Sequence, residues 1–407
     1  MTQDNMKHKE TRIAHLARGH KMPDLGIRTV NPPVYRGSSL LCRSVAEYNH
    51  LASPSQIRQR HHNGYGTGGT DTHKALESLM ADLEDAEESV LFPSGLSAIT
   101  STLLAFCQHG DHVLITDNCY GPSKRFVDRV LVPMGVEVSV FDPLDSLEDI
   151  KALIRPNTTC LLAESPGSQT FEMTDLQGLA RLAKAHNIIT IMDNTWASPL
   201  YCQPLRLGVD LSLHAVTKYI GGHSDLLMGA VSGNGETIWK VRNMHFLLGH
   251  NTSPDDVSLA LRGARSLSAR MAQHQQSAFV MAKWLQQRQD VADVLYPALP
   301  SHPGYKLWQR DFSGAGSLFS FVLAPDVTIA QAERFCNSLT LFGLADSWGS
   351  YESLIKMCGD IRRSSPRWQA YQDKSGPVVR MFVGLENVDD LREDIEHGFQ
   401  AMYADGE

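Results

Sequence analysis

Several things are scarce or missing in this chain, and each narrows it. No run of about 18 apolar residues, the length a bilayer-spanning helix needs, occurs in the 407 residues, so no membrane-spanning helix is expected. The first 22 residues are polar and mixed in charge, without the apolar core of a secretory signal. The cytoplasm is therefore the expected location. Positive charge is in deficit: 37 Lys and Arg stand against 45 Asp and Glu, a net charge of −8, which argues against a nucleic-acid or membrane-surface partner. Cysteine is sparse, and the seven present (Cys42, Cys107, Cys119, Cys160, Cys202, Cys336, Cys358) are odd in number and lack CxxC spacing. They read as reduced, buried thiols, not as a disulfide frame or zinc site. HExxH and GxSxG are absent and the 17 histidines form no ligand set, so no metal is expected. There is no internal repeat and no low-complexity tract.

What is present is an ordinary globular composition with material for two or three domains. Residues 1–60 lack periodicity and carry Asn31-Pro32-Pro33 and Ser53-Pro54-Ser55. They are expected to form an extended arm that packs elsewhere, such as on a neighbouring subunit. Over 61–258, apolar spacing predicts helices at 73–88, 96–107, 122–133, 146–154 and 174–186. These alternate with strands at 89–92, 112–116, 137–141, 158–163 and 188–192. Such alternation implies an α/β domain, a mostly parallel sheet between helices. After a composition break at 249–254, residues 259–407 predict a smaller α/β domain. Its elements are a long helix over 257–287, strands at 316–323 and 378–383, and a closing helix at 391–402. Ligands of parallel sheets bind beyond the carboxyl ends of the strands. Phe92, Thr116, Glu164 and Asp193 fall at such ends.

The chemistry centres on Lys218. It follows the apolar strand Leu211-Ser212-Leu213, precedes Gly221-Gly222, and lies 25 residues after Asp193, which ends the run Ile188-Ile189-Thr190-Ile191-Met192. A lysine amine forms a Schiff base with the aldehyde of pyridoxal 5'-phosphate, and a carboxylate pairs with the protonated pyridine nitrogen to keep the ring an electron sink. The plain alternative for any lysine is a solvated surface position. Ser94-Gly95-Leu96 joins a strand to a helix and offers backbone N–H groups to a phosphate, a role Thr217 can share through its hydroxyl. Tyr120, just past the strand ending at Thr116, is placed to stack on the ring. Arg380 lies inside an apolar strand, where a charge is costly unless paired. It suits a substrate carboxylate, the alternative being an internal salt bridge. Gly64-Tyr65-Gly66-Thr67-Gly68-Gly69 matches the dinucleotide fingerprint literally, but no buried strand precedes it, and that reading is rejected.

Together these motifs resemble the pyridoxal-phosphate enzymes of cysteine and methionine metabolism, the trans-sulfuration enzymes. The likeness runs from about Asn31 to the C-terminus. It is carried by residues 31–38, Leu91-Phe92-Pro93-Ser94-Gly95, Glu164-Ser165-Pro166-Gly167-Ser168, Asp193-Asn194-Thr195-Trp196, Thr217-Lys218-Tyr219, Gly222-His223-Ser224-Asp225, residues 347–354, and Arg380 with Gly384-Leu385-Glu386. Gly167-Ser168, where the γ-acting branches usually carry Asn-Pro, and Trp348 favour the β-lyase branch. The resemblance implies the type I fold of PLP-dependent transferases, with a seven-stranded, mostly parallel sheet in the large domain. It implies cleavage of L-cystathionine to homocysteine, pyruvate and ammonia, by a homotetramer (a dimer of dimers). It also implies roles. Lys218 and Asp193 would serve the cofactor, Gly95, Leu96 and Thr217 its phosphate, and Tyr120 its ring. Tyr65 would reach a neighbouring subunit's site, Ser347 and Arg380 would bind the substrate carboxylate, and Trp348 would line the pocket.

Three positions depart from the family's pattern. Thr67 replaces the arginine of a Tyr-x-Arg phosphate contact, for which Arg58 or Arg60 would have to substitute. Ala215 stands where many members carry serine. Asp346 adds an acid beside Ser347, which bears on substrate choice. A β-lyase for another cysteine S-conjugate, or a γ-acting relative, stays open on the sequence. A non-catalytic binder is disfavoured because every catalytic position is filled.

Overall fold

The computed structural model describes residues 8–19, 27–60, 64–359, 361–362 and 365–404. Its large sheet holds seven strands: β1 (Glu88–Phe92), β2 (His112–Thr116), β3 (Glu137–Phe141), β4 (Thr158–Glu164), β5 (Ile189–Asp193), β6 (Leu211–Ala215) and β7 (Gly229–Gly233), in the order β1-β7-β6-β5-β4-β2-β3. All strands run the same way except β7, which is antiparallel to both of its neighbours. Phe92, Thr116, Glu164, Asp193 and Ala215 therefore end their strands on one edge, as the sequence predicts for the first four.

Both faces of the sheet are buried, and successive residues serve opposite cores. Val113, Ile115 and Leu162 pack on one side with Ile99 and Leu103 of the helix Gly95–Phe106 and Val241 of Gly235–Leu247. Leu114, Leu161 and Ala163 face the other side with Leu179 and Ala183 of Leu176–Ala185. A second sheet, in the order β10-β11-β12-β9-β8, comprises β8 (Val291–Leu295), β9 (Leu318–Leu323), β10 (Gly343–Leu344), β11 (Leu354–Cys358) and β12 (Val378–Phe382). Its apolar face packs Phe319, Phe321, Val379 and Met381 against Phe335 and Phe399.

Two expectations are corrected, and four strands appear that the apolar pattern does not predict. The helix predicted over 257–287 is two, Pro254–Arg265 and Leu267–Leu285. At the break, Ser266 donates to the Gly263 carbonyl at 3.1 Å and accepts from Arg270 Nε at 3.0 Å. Side-chain bonds there compete with the helical pattern. Strands β7, β8, β10 and β11 carry too weak a pattern to be read from sequence. In β7 the glycines are demanded by packing: a Cβ on Gly229 would lie 2.4 Å from the Ser94 carbonyl, and glycine has low strand propensity. The arm is not extended throughout. It contains the helices Lys9–His15, Val45–Leu51 and Pro54–Arg60, and its first helix packs on its own chain through buried Ile13 and an Arg12–Asp82 ion pair. Further along, Val30 (74%), Leu41 (97%) and Val45 (76%) stand exposed. All seven cysteines are free, and six are buried.

Candidate active site

The site forms where β5 and β6 end. Asp193 closes β5, and Thr195, two residues on, turns back to it. The Thr195 hydroxyl donates to Asp193 Oδ1 at 2.5 Å and its amide donates to the same oxygen at 3.0 Å. The Thr195 oxygen in turn accepts the Ala215 amide at 2.9 Å, stitching β6 to the carboxylate. Burial raises the Asp193 carboxyl above its ordinary range, and the Thr195 bonds oppose that. Both hydrogen bonds to the Asp193 side chain among the described residues end on Oδ1, and none ends on Oδ2. Thr195 was missed at the sequence level. Its signal was a hydroxyl two residues after an acid at a strand end, the pattern of an Asx-type turn.

Behind this pair lies a buried polar cluster. His214 Nε2 contacts Glu84 Oε1, and Asn194 Nδ2 donates to the same oxygen at 3.3 Å. All three residues are at most 1% exposed. Removing one member leaves buried hydrogen-bonding partners unsatisfied, at a cost of about 1–3 kcal/mol. Glu84→Ala is thus expected to lower the urea midpoint by that equivalent. An unchanged midpoint would mean that the cluster does not brace the strand ends.

Lys218 follows β6 by three residues. Its Nζ donates to Ser347 Oγ at 2.5 Å and lies 5.4 Å from the centre of the Trp348 ring. Ser347 has φ +76° and Gly349 φ +93°. The turn presses so closely that a Cβ on Gly349 would sit 2.9 Å from the Lys218 carbonyl carbon. A serine held in the left-handed region is a strained backbone; here it brings the Ser347 hydroxyl to the lysine. Burial, then the Arg380 charge, lowers the Lys218 ammonium to about 8, against opposing pulls from Asp346 and Asp193.

Arg380 is buried in β12, and its Nη2 donates to the Ser347 carbonyl at 3.2 Å. It makes no salt bridge among the described residues, so the internal-pair alternative finds no support there. Burial is also the main reason its guanidinium is lowered. One residue, Ser347, thereby links an amine to an unneutralised guanidinium.

The helix Gly95–Phe106 starts over the end of β6, and a Cβ on Gly95 would come 2.7 Å from that of Ala215. The small residue at 215 thus fills a space set by the helix end. Ser94 and Ser97 cap each other's amides, and among the described residues the Gly95 and Leu96 N–H groups at the helix start take no partner. The Thr217 hydroxyl donates to the Met228 carbonyl at 3.2 Å and accepts the Met228 amide at 2.9 Å. A phosphate contact from Thr217 would compete with that staple. Tyr120 is partly exposed, and its amide donates to Glu164 Oε2 at 2.6 Å. Glu164 pairs with Asp193 across β4 and β5; burial, then the Asp193 charge, pushes its carboxyl well up. Its part in seating Tyr120 was not foreseen.

Tyr65 is not brought to this group within one chain. It bridges to Ser39 and shares a hollow with Leu40, Cys42, Tyr48 and Leu51. Arg58 pairs with Glu236 and lies over the Trp239 ring at 5.4 Å, which commits it to the helix Gly235–Leu247. The Arg60 side chain and His61-His62 lie outside the described residues.

An amine, a carboxylate with one oxygen free, uncommitted helix amides and a buried guanidinium fit the aldehyde, ring nitrogen and phosphate of pyridoxal phosphate and the carboxylate of an amino acid. Fold and site define the class: an enzyme that handles amino acids through that cofactor. The chain belongs to the Cys/Met metabolism PLP-dependent enzymes, whose family model matches residues 12–400. It is similar to a cystathionine beta-lyase of Bordetella avium, 40% identical with 97% of this chain and 98% of that one covered. It is also similar to an L-alanine/L-glutamate racemase of Wolbachia pipientis wMel, 38% identical with 90% and 91% covered. Its fold matches the crystal structure of cystathionine gamma-lyase from Lactobacillus plantarum complexed with L-serine. The TM-score is 0.86 at 30% identity, over 98% of this chain and 100% of that one.

Proposed function

We propose that the protein is a carbon–sulfur β-lyase that cleaves L-cystathionine to L-homocysteine, pyruvate and ammonia. The observation that carries this reading is the Lys218–Ser347–Arg380 link. A base for the α-proton and a grip for the α-carboxylate are held together by one residue. Pyridoxal phosphate, when bound, supplies an aldehyde for imine formation and a ring that stores an electron pair. Lys218 would hold its aldehyde, and Asp193 would keep its ring nitrogen protonated. Gly95 and Leu96 would hold its phosphate, joined by Thr217 where its hydroxyl turns from the Met228 carbonyl, and Tyr120 would stack on its ring. Arg380 and Ser347 orient the substrate carboxylate, and Trp348 walls the pocket. With the cofactor bound, Lys218 Nζ would take the α-proton of the substrate. The thiolate then leaves Cβ with the electrons of the C–S bond, and the three-carbon remainder hydrolyses to pyruvate and ammonia.

The lowered Lys218 ammonium sets a pH dependence. Only the neutral amine attacks an aldehyde. Below about pH 8 the neutral fraction falls about tenfold per pH unit. Covalent capture of the cofactor by cofactor-free protein should therefore speed up as pH rises to about 8 and level off above it. A rate still climbing beyond pH 10 would mark an ordinary lysine.

Arg380→Ala should raise KM for the amino acid by about 10- to 100-fold, the worth of a charge-assisted hydrogen bond, with cofactor binding little changed. A parental KM would contradict the carboxylate grip. Tyr65, half-exposed just past the arm, and the bare Leu41 and Val45 of the arm itself support a homotetramer, a dimer of dimers, in which Tyr65 serves the adjacent site; a monomeric mass in sedimentation would contradict it. The proposed location is the cytoplasm, and export of the protein in a fractionation experiment would exclude it. Among the described residues no helix is long and apolar enough to cross a membrane. The experiment that tests the activity is product analysis with L-cystathionine. Pyruvate is expected, whereas 2-oxobutyrate would indicate γ-cleavage. Racemised alanine from L-alanine, without pyruvate from any thioether, would favour the activity named for the Wolbachia relative.

A further inference from the structure

Two of the buried cysteines touch. Cys107 caps the carboxyl end of the helix Gly95–Phe106, where its amide donates to the Leu103 carbonyl at 2.9 Å. Cys160 is the third residue of β4 and belongs to the same apolar cluster as that helix. Their Sγ atoms are 3.4 Å apart, about 1.4 Å more than a disulfide bond. No other two cysteine sulfurs among the described residues are in hydrogen-bonding contact. Both backbones are anchored. The helix holds Cys107, and β4 is paired on both sides, with Cys160 between Val113 and Ile189. Closing the gap therefore falls to the side-chain torsions.

The two thiols are not equivalent. Cys107 keeps 5% of its surface exposed and Cys160 none. The half-buried Thr159 brings its hydroxyl to 3.9 Å from Cys107 Sγ. A small oxidant thus meets Cys107 first. The contact with Cys160 lowers the Cys107 thiol, and the same contact, then burial, raises Cys160 well up. The thiolate character therefore sits on the more accessible sulfur. The pair also lies away from the ligand edge. Cys160 is four residues back along β4 from Glu164, about 13 Å. Cys107 is at the far end of a 12-residue helix from Gly95, about 18 Å.

We propose that Cys107 and Cys160 are a redox modification site, a dithiol that a hydroperoxide converts to an intramolecular disulfide. The Cys107 sulfur attacks one peroxide oxygen, the O–O bond breaks, and a sulfenic acid and one water form. The Cys160 sulfur then attacks the Cys107 sulfur. The S–S bond forms, the S–O bond breaks, and the hydroxide leaves with the Cys160 proton as a second water. Two thiols lose two electrons, and one hydrogen peroxide is reduced to two waters. Small thiols reverse the step by exchange. In a reducing compartment such a bond is transient, so the site registers oxidant and is then reset. The link would join the helix that starts at Gly95 to the strand that ends at Glu164, at their ends remote from the site.

The test treats the cofactor-loaded protein with hydrogen peroxide under native conditions, then unfolds, alkylates and digests it for mass spectrometry. One linked pair of peptides holding Cys107 and Cys160 is expected, and dithiothreitol should abolish it. The visible band of the lysine-bound cofactor should stay within about twofold of the reduced protein, as expected for sites this far apart. Cys160→Ser removes the second sulfur, so Cys107 should stop at the sulfenic acid and take up dimedone. Cys42, the one cysteine that is not buried, times the exposure. If Cys42 is fully oxidised while Cys107 and Cys160 are both still alkylated, the dithiol site is overturned. Oxidation of Cys107 in the parent without a link to Cys160 would overturn it equally. None of these readings depends on which amino acid the enzyme cleaves.

Discussion

Lys218→Ala should give a folded protein that shows no visible band of lysine-bound cofactor and loses at least about 10⁴-fold in turnover, the combined effect of removing a covalent anchor and a general base. Geometry, and the electrostatics that follow from it, place the expectation here and not at another lysine. The amine is held by Ser347 at 2.5 Å and faces the Trp348 ring, and burial has already lowered its ammonium to about 8. A surface lysine has neither property. The loss should reach kcat and not only KM, because Arg380 would still grip the carboxylate. The substitution removes no contact on which the fold depends, since β6 is fixed by its neighbours on both sides. A variant that kept both the absorption band and the turnover would remove Lys218 from the chemistry.

Asp193→Asn should separate cofactor capture from catalysis. Lys218 remains, so the cofactor still binds covalently. The amide is neutral and cannot hold a proton on the pyridine nitrogen, so the ring no longer stores the electron pair released at Cα. A loss of about 10²–10³-fold in kcat is expected, the size found when one preorganised electrostatic partner is removed. KM should move much less. Thr195 would still bond the Oδ1 position, so the strand end should keep its shape. Unchanged kcat would mean that the ring nitrogen is served by another group.

Much of this was legible in the sequence because the large domain states its structure locally. Apolar runs of five residues that end in Thr116, Glu164 or Asp193 are strands with both faces buried, and the helices between them carry clear caps, such as Ser94 and Asp175. Lys218, Asp193 and Arg380 stand out because charges in apolar runs demand a reason. What was hidden depends on contacts across the chain. The β7 strand is written in glycines whose purpose is to let a helix approach. The Ser266 break rests on a serine that bonds back to a carbonyl three residues earlier. Glu84 and His214 are 130 positions apart and meet only in the folded core. Ser347 looked like one member of a motif; its positive φ and its double link to Lys218 and Arg380 exist only in three dimensions. Thr217 drew attention as a phosphate ligand, but its hydroxyl already bonds both backbone groups of Met228.

The most direct test of the whole account is a product assay on pure protein loaded with pyridoxal phosphate and given L-cystathionine. The account predicts pyruvate, ammonia and homocysteine in equal amounts. Formation of 2-oxobutyrate and cysteine, or no cleavage of cystathionine while the cofactor remains bound to Lys218, would contradict it.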